Sequence, residues 1–246
     1  MNVTPDSFSD GGELTAATFQ SKLTSFGPVD ALDIGAESTA PMNAPISPAE
    51  EWNRLAPILP LLKDLNCPLS LDTYHPETIF RIANDCKGTL IWNDVSGKFD
   101  DSVIDFLKLN EKFHYVFCHN RAPSRKLTAT HMQYLSESQG DAFMDELTAF
   151  FLPHIHPRVI FDPCLGFSKT YEQNWYILDH FADLQRRIPH NRWLLGLSRK
   201  SFLRKKYNLS LDAKDVLDTQ HVQEIKRLIP SLKGEVWIRT HRPEIL

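Results

Sequence analysis

Short apolar runs recur along this chain, and nearly every one stops at a polar residue with chemical capacity. Ala31-Leu32-Asp33-Ile34-Gly35 carries Asp33, Leu69-Ser70-Leu71-Asp72 stops at Asp72, and Leu90-Ile91-Trp92-Asn93-Asp94 stops at Asn93 and Asp94. The runs 114–119, 158–162, 194–198 and 236–241 stop at His119, Asp162, Ser198 and His241. A strand buried on both faces reads as an apolar run of this kind, without alternation. Segments of helical character separate the runs, and repetition of strand then helix demands a parallel sheet. Polar residues at the C-terminal ends of parallel strands are where a (β/α)8 barrel assembles its active site. The pattern predicts an α/β chain, a (β/α)8 TIM barrel, working as an enzyme.

Length agrees: 246 residues against roughly 250 for one such barrel. Counting Asn2 as the first strand end gives eight ends, but only Met1-Asn2-Val3 stands where the first strand belongs. Helices are expected at 13–26, 48–65, 76–84, 101–109, 134–151, 171–187, 201–207 and 216–228, with Ser47 as N-cap and Pro48 at the first helical position of the second. No low-complexity linker interrupts the chain, so residues 1–246 are expected to form a single domain.

Composition narrows the partners. A net charge of −4 leaves no basic field for nucleic acid, so the expected partners are small molecules, with local Lys and Arg holding any anionic group. Cys67, Cys86, Cys118 and Cys164 form no C-x-x-C pair, which suggests reduced thiols and a cytoplasmic location. No apolar stretch nears the ~20 residues that span a membrane. Met1 is followed at once by a polar, proline-containing segment, unlike a signal peptide.

Seven segments, in order and across nearly the whole chain, resemble dihydropteroate synthases. Met1-Asn2-Val3-Thr4-Pro5-Asp6-Ser7-Phe8-Ser9-Asp10-Gly11-Gly12 is similar to the family's N-terminal signature. Asp33-Ile34-Gly35-Ala36-Glu37-Ser38-Thr39, Leu71-Asp72-Thr73-Tyr74 and Asn93-Asp94-Val95-Ser96-Gly97 resemble its second, third and fourth strand motifs. Asp162-Pro163-Cys164-Leu165-Gly166-Phe167-Ser168-Lys169-Thr170, Ser198-Arg199-Lys200-Ser201-Phe202 and Arg239-Thr240-His241 resemble the sixth, seventh and eighth. The resemblance implies a pterin-binding barrel that joins p-aminobenzoate to 6-hydroxymethyl-7,8-dihydropterin pyrophosphate. The products are 7,8-dihydropteroate and pyrophosphate, Mg2+ assists, and this is the folate-pathway step that sulfonamides block.

Site roles follow from the resemblance. Asp72, Asn93, Asp162 and Lys200 are implied to hold the pterin, whose edge is rich in N–H donors that a buried carboxylate accepts in pairs. Asp and Asn at strand ends also serve as N-caps and turn formers, and only their joint register favours the pocket. Asn2, Arg239 and His241 are implied at the pyrophosphate, with Asn2 also a ligand of Mg2+, a hard cation that takes few protein ligands beside phosphate. Phe8, Thr39, Pro41, Phe167 and Ser201 are implied at the p-aminobenzoate. Asp10 is placed to stabilise a cationic intermediate, and with Lys200 makes the catalytic pair.

Three features depart from the family. Ala40 stands where the family has Arg, the first strand is largely missing, and the final helix after His241 is missing. The short start suggests an upstream fused folate-pathway domain; the family is usually a homodimer. Two other readings stay open: a degenerate non-catalytic pterin-binding paralogue, and a pterin-dependent corrinoid methyltransferase domain. The charged stretch 204–214 is unusual and has no physical explanation in the sequence.

Overall fold

The computed structural model describes residues 1–3, 16–37, 45–62, 65–190 and 192–246. They divide into two compact units, residues 1–117 with 123–130, and residues 118–122 with 131–246.

The first unit runs α1 (Ala16–Ser25), β1 (Leu32–Ile34), α2 (Pro48–Leu55), α3 (Leu59–Leu62), β2 (Leu69–Asp72), α4 (Pro76–Ala83), β3 (Leu90–Asp94), α5 (Asp101–Leu109) and β4 (Phe113–Cys118). Each strand pairs in parallel with the next, in a register that sets Ile34 beside Leu71 and Asp72 beside Asn93. Every residue of β2 and β3 is buried, as expected of parallel strands covered on both faces. Trp92 centres this packing: Phe106 and Tyr115 meet it edge-on at 5.4 Å, and its indole N–H donates to the Thr73 carbonyl at 2.8 Å. Asp94, also at a strand end, is occupied by packing, since it takes the Tyr115 hydroxyl at 2.9 Å and the Arg125 guanidinium.

The expected first strand is represented, among the described residues, by one parallel bridge between Asn2 and Gly35. Val3 N–H donates to the Gly35 carbonyl at 2.8 Å, and Gly35 N–H to the Met1 carbonyl at 3.1 Å.

The second unit runs α6 (Gly140–Phe151), β5 (Val159–Asp162), α7 (Tyr171–Asp179), α8 (Phe181–Arg187), β6 (Arg192–Gly196), α9 (Ser201–Lys206), α10 (Lys214–Leu228) and β7 (Glu235–Arg239). β5 pairs in parallel with β6, and β6 with β7. Phe151, Phe161, Phe181 and Trp193 fill its core.

Helices differ from expectation where side chains or prolines compete with the backbone. The segment 48–65 breaks after Leu55, because Pro57 and Pro60 supply no N–H to the ladder. Ser47 does cap α2, accepting the Glu50 N–H at 3.2 Å. The helix predicted at 134 begins at Gly140, because Ser136 Oγ takes the Ser138 N–H and Gln173 ties down the Ser136 and Ser138 carbonyls. His180 splits the segment 171–187: its backbone leaves the helical region while its backbone N–H and its imidazole Nδ1 both bond the Tyr176 carbonyl at 3.0 Å. The charged stretch 204–214 is tethered through Lys206 and Tyr207 to Glu224, 3% exposed on α10.

Candidate active site

In the first unit the site residues stand on the ends of β1, β2 and β3. Asp33 Oδ1 accepts from Ser70 Oγ at 2.5 Å and from the Asn93 amide at 3.0 Å. That bond fixes which way the Asn93 amide points. Asp72 is buried beside Asn93. Gly35 lets β1 approach β2 closely here: a Cβ on it would lie 3.2 Å from Asp72 Cβ and 3.3 Å from the Asp72 carbonyl oxygen. Asn2, half-buried, is held against Gly35 by the bridge.

In the second unit Asp162 ends β5 with only 8% of its surface exposed. Its Oδ1 accepts the Cys164 N–H at 2.6 Å. Burial raises its pKa, and the Cys164 bond with the Lys200, Lys169 and Arg239 cations opposes that rise. The turn after it winds through Cys164, Gly166 and Ser168, all at positive φ. Lys169, fully enclosed, staples this turn by donating to the carbonyls of His119 at 2.9 Å, Phe167 at 3.0 Å and Cys164 at 3.3 Å. Burial lowers its pKa to about 8.

Phe167, carried on this turn, has the Lys200 ammonium 4.5 Å from its ring centre. Lys200 keeps part of its surface in water, yet enclosure of its ammonium lowers its pKa, and Arg239 adds to that. Lys200 follows Arg199 in sequence, and Ser201 opens α9. Arg239 ends β7, opposite Gly196 on β6. His241 is linked to Ser198, whose Oγ lies 2.8 Å from Nδ1 and accepts the His241 N–H at 3.3 Å. Crowding of the ring, then the Arg199 and Arg239 cations, lower the His241 pKa even though the residue keeps an exposed edge.

The second unit thus brings Asp162, Phe167, Lys200 and Arg239 into one electrostatic neighbourhood, and the first sets Asp72 and Asn93 side by side. The candidates Phe8, Asp10, Thr39 and Pro41, and the substituted Ala40, lie outside the described residues. Asp33, Lys169 and Arg199 sat inside quoted motifs without an assigned role. His131 sat in no motif, and nothing in the sequence marked it.

Comparison with known proteins bears on this arrangement. The family described as "Pterin binding enzyme" matches residues 1–228. The dihydropteroate synthase of Synechocystis sp. is 34% identical over 219 residues, covering 83% of this chain and 72% of that protein. The chain belongs to the dihydropteroate synthase family. The type-2 dihydropteroate synthase of Escherichia coli is 31% identical over 264 residues, covering all of this chain and 90% of that protein. The crystal structure of dihydropteroate synthase from Thermus thermophilus in complex with 4-aminobenzoate superposes with a TM-score of 0.76 at 24% identity. It covers 97% of this chain and 86% of that one. The chain therefore has the parallel α/β fold of these synthases, which is of the TIM-barrel type. The folate synthesis bifunctional protein of Pisum sativum is 33% identical, and this chain spans 42% of its length. Among the described residues no helix is long and apolar enough to cross a membrane.

Proposed function

We propose that this dihydropteroate synthase family member displaces pyrophosphate from 6-hydroxymethyl-7,8-dihydropterin pyrophosphate with p-aminobenzoate, forming 7,8-dihydropteroate on a (β/α)8 barrel. The observation that carries this reading is Asp162: a buried carboxylate with one oxygen fixed by a backbone N–H, among the Lys200, Lys169 and Arg239 cations. Such a group suits the charge-assisted, paired N–H recognition that a pterin edge demands.

Each residue takes a part in that reading. Asp162 accepts the pterin N–H groups and Lys200 donates to a ring acceptor. Asp72 and Asn93 supply further pterin contacts, with the Asn93 amide aimed by Asp33. The C–O bond to pyrophosphate breaks early, because the pterin delocalises positive charge at the methylene; Asp10 stabilises that charge. The neutral aniline nitrogen then attacks and loses its proton, so orientation and exclusion of water matter more than a strong base. Phe8, Thr39, Pro41 and Phe167 wall the arylamine, Ser201 meets its carboxylate, and Arg239 and His241 hold the departing pyrophosphate. Asn2 offers a hard, neutral amide oxygen, a donor that fits Mg2+ alongside phosphate oxygens. When bound there, Mg2+ supplies charge neutralisation for the leaving group. The reading carries with it a cytoplasmic homodimer, with fusion to another folate-pathway domain as in the pea relative.

The experiment is direct: purified chain, Mg2+, pterin pyrophosphate and p-aminobenzoate, with dihydropteroate followed by chromatography. Product formation that requires all three is expected. Pterin binding without product identifies a non-catalytic paralogue instead.

A further inference from the structure

His131 stacks on Phe167, with ring centres 4.2 Å apart and planes inclined by 28°. It is 1% exposed. Its Nδ1 accepts the Ser168 N–H at 3.2 Å, and its carbonyl accepts from Ser168 Oγ at 2.9 Å. One residue therefore grips both the ring of Phe167 and the backbone that follows it. We propose that His131 is a positioning residue for the arylamine, fixing through Phe167 the wall against which the aromatic substrate stacks.

The local backbone explains why such a brace is needed. Phe167 lies between Gly166 at φ 84° and Ser168 at φ 51°. A non-glycine residue rarely adopts that left-handed conformation without outside support. Phe167 is itself only half-buried, so core packing does not lock its ring. His131 supplies the support by stacking on the ring, and the Lys200 ammonium lies 4.5 Å from the centre of the same ring.

The protonation state fits the role. Since Nδ1 accepts from Ser168, the ring proton sits on Nε2 and the imidazole is neutral. Burial, then Lys200 and Lys169, hold its pKa down to about 4. A neutral ring stacks on Phe167 without opposing the Lys200 charge beside it. Nε2 is buried and has no hydrogen-bond partner among the described residues. An unsatisfied donor is retained against its desolvation penalty, which argues that the ring is there for its face and for Nδ1.

The role rests on the reading that Phe167 walls the arylamine, and the test separates the two. Two variants divide the grip: His131→Asn keeps an acceptor near Nδ1 and loses the ring, and His131→Phe keeps the ring and loses the acceptor. KM for p-aminobenzoate, KM for the pterin pyrophosphate, kcat and melting temperature are measured for each. His131→Asn is expected to raise the p-aminobenzoate KM about five- to tenfold, the range a well-placed aromatic pair supports, with the pterin pyrophosphate KM within about twofold of wild type. His131→Phe is expected to raise it less. In a Phe167→Leu background the effect of His131→Asn is expected to vanish, because the two residues act as one unit. Equal rises in both KM values, an unmoved p-aminobenzoate KM, or full additivity with Phe167→Leu overturns the role. If His131→Asn does not fold, the His131→Phe and Phe167→Leu pair decides the same question through additivity. Wild-type chain that forms no dihydropteroate overturns the underlying reading, and the role of His131 with it.

Discussion

Arg199 reaches Asp218 with two nitrogens, Nε 3.2 Å from Oδ1 and a terminal nitrogen 2.9 Å from Oδ2. It does so from a backbone at φ 60°, in the left-handed region. Asp218 lies on α10 and is 1% exposed, while Arg199 directly precedes Lys200. The pair ties the turn that carries Lys200 and Ser201 to the helix beneath it.

Arg199→Ala should therefore destabilise the chain. It strips a buried carboxylate of its fork, leaving Arg242 with a guanidinium nitrogen 4.0 Å away. Breaking a fully buried pair costs about 3–5 kcal/mol, but the Arg199 side chain is 34% exposed, and screening brings the expected loss to about 2 kcal/mol. Arg199→Gly should recover roughly 1 kcal/mol of that, because glycine accepts a left-handed backbone freely. Thermal melts of the two variants decide it; an alanine variant at least as stable as the glycine one contradicts the strain argument.

Asp162→Asn should remove most pterin affinity, a loss of roughly 2–5 kcal/mol. The amide is close in shape, keeps one acceptor, and presents N–H donors toward ligand donors. Calorimetry with a hydroxymethylpterin gives the affinity directly, and an unchanged value removes Asp162 from the pterin site.

How far the sequence reached depends on which forces act locally. The strand ends at Asp72, Asn93 and Asp162 were legible because an apolar run and its polar stop lie within a few residues. The Ser47 and Pro48 helix start was legible for the same reason. The break after Leu55 departs from the apolar spacing because Pro57 and Pro60 override it locally. The late start at Gly140 was hidden more deeply, because Gln173, 35 and 37 residues from its partners, decides where residues 134–139 go. Arg199 and Asp218 are 19 residues apart and Lys169 and His119 are 50 apart. His131 is further still from legibility: a lone histidine in a polar segment gains meaning only when the fold stacks it on Phe167.

Gly35→Ala tests the approach of β1 to β2. The added Cβ would sit 3.2 Å from Asp72 Cβ and 3.3 Å from its carbonyl oxygen, closer than ordinary contact. Asp72 must give by a few tenths of an ångström, at a cost of up to about 1–3 kcal/mol. A lower melting temperature together with weaker pterin binding is expected. A stability loss with pterin affinity untouched argues that Asp72 does not touch the pterin.

His119, His131, His190 and His221 are all buried, and burial lowers the pKa of each in the folded chain. Unfolded histidine titrates near 6.5, so between the folded pKa and about 6.5 the unfolded chain binds more protons, and stability rises with pH. Their contribution is intact above about pH 6.5 and is lost as pH falls; for His131 the window runs from there down to about 4. Each such histidine adds a slope of at most about 1.4 kcal/mol per pH unit within its window. His221 isolates the effect best, because neither ring nitrogen has a hydrogen-bond partner among the described residues. His221→Leu, similar in volume and apolar, should flatten the pH dependence, by at most one proton. It should also leave the chain at least as stable at pH 7, because a buried polar ring without partners is replaced by a group that needs none. Denaturant titrations of wild type and variant from pH 7 to pH 5 measure both quantities. Parallel curves would mean that His221 is not held neutral by burial.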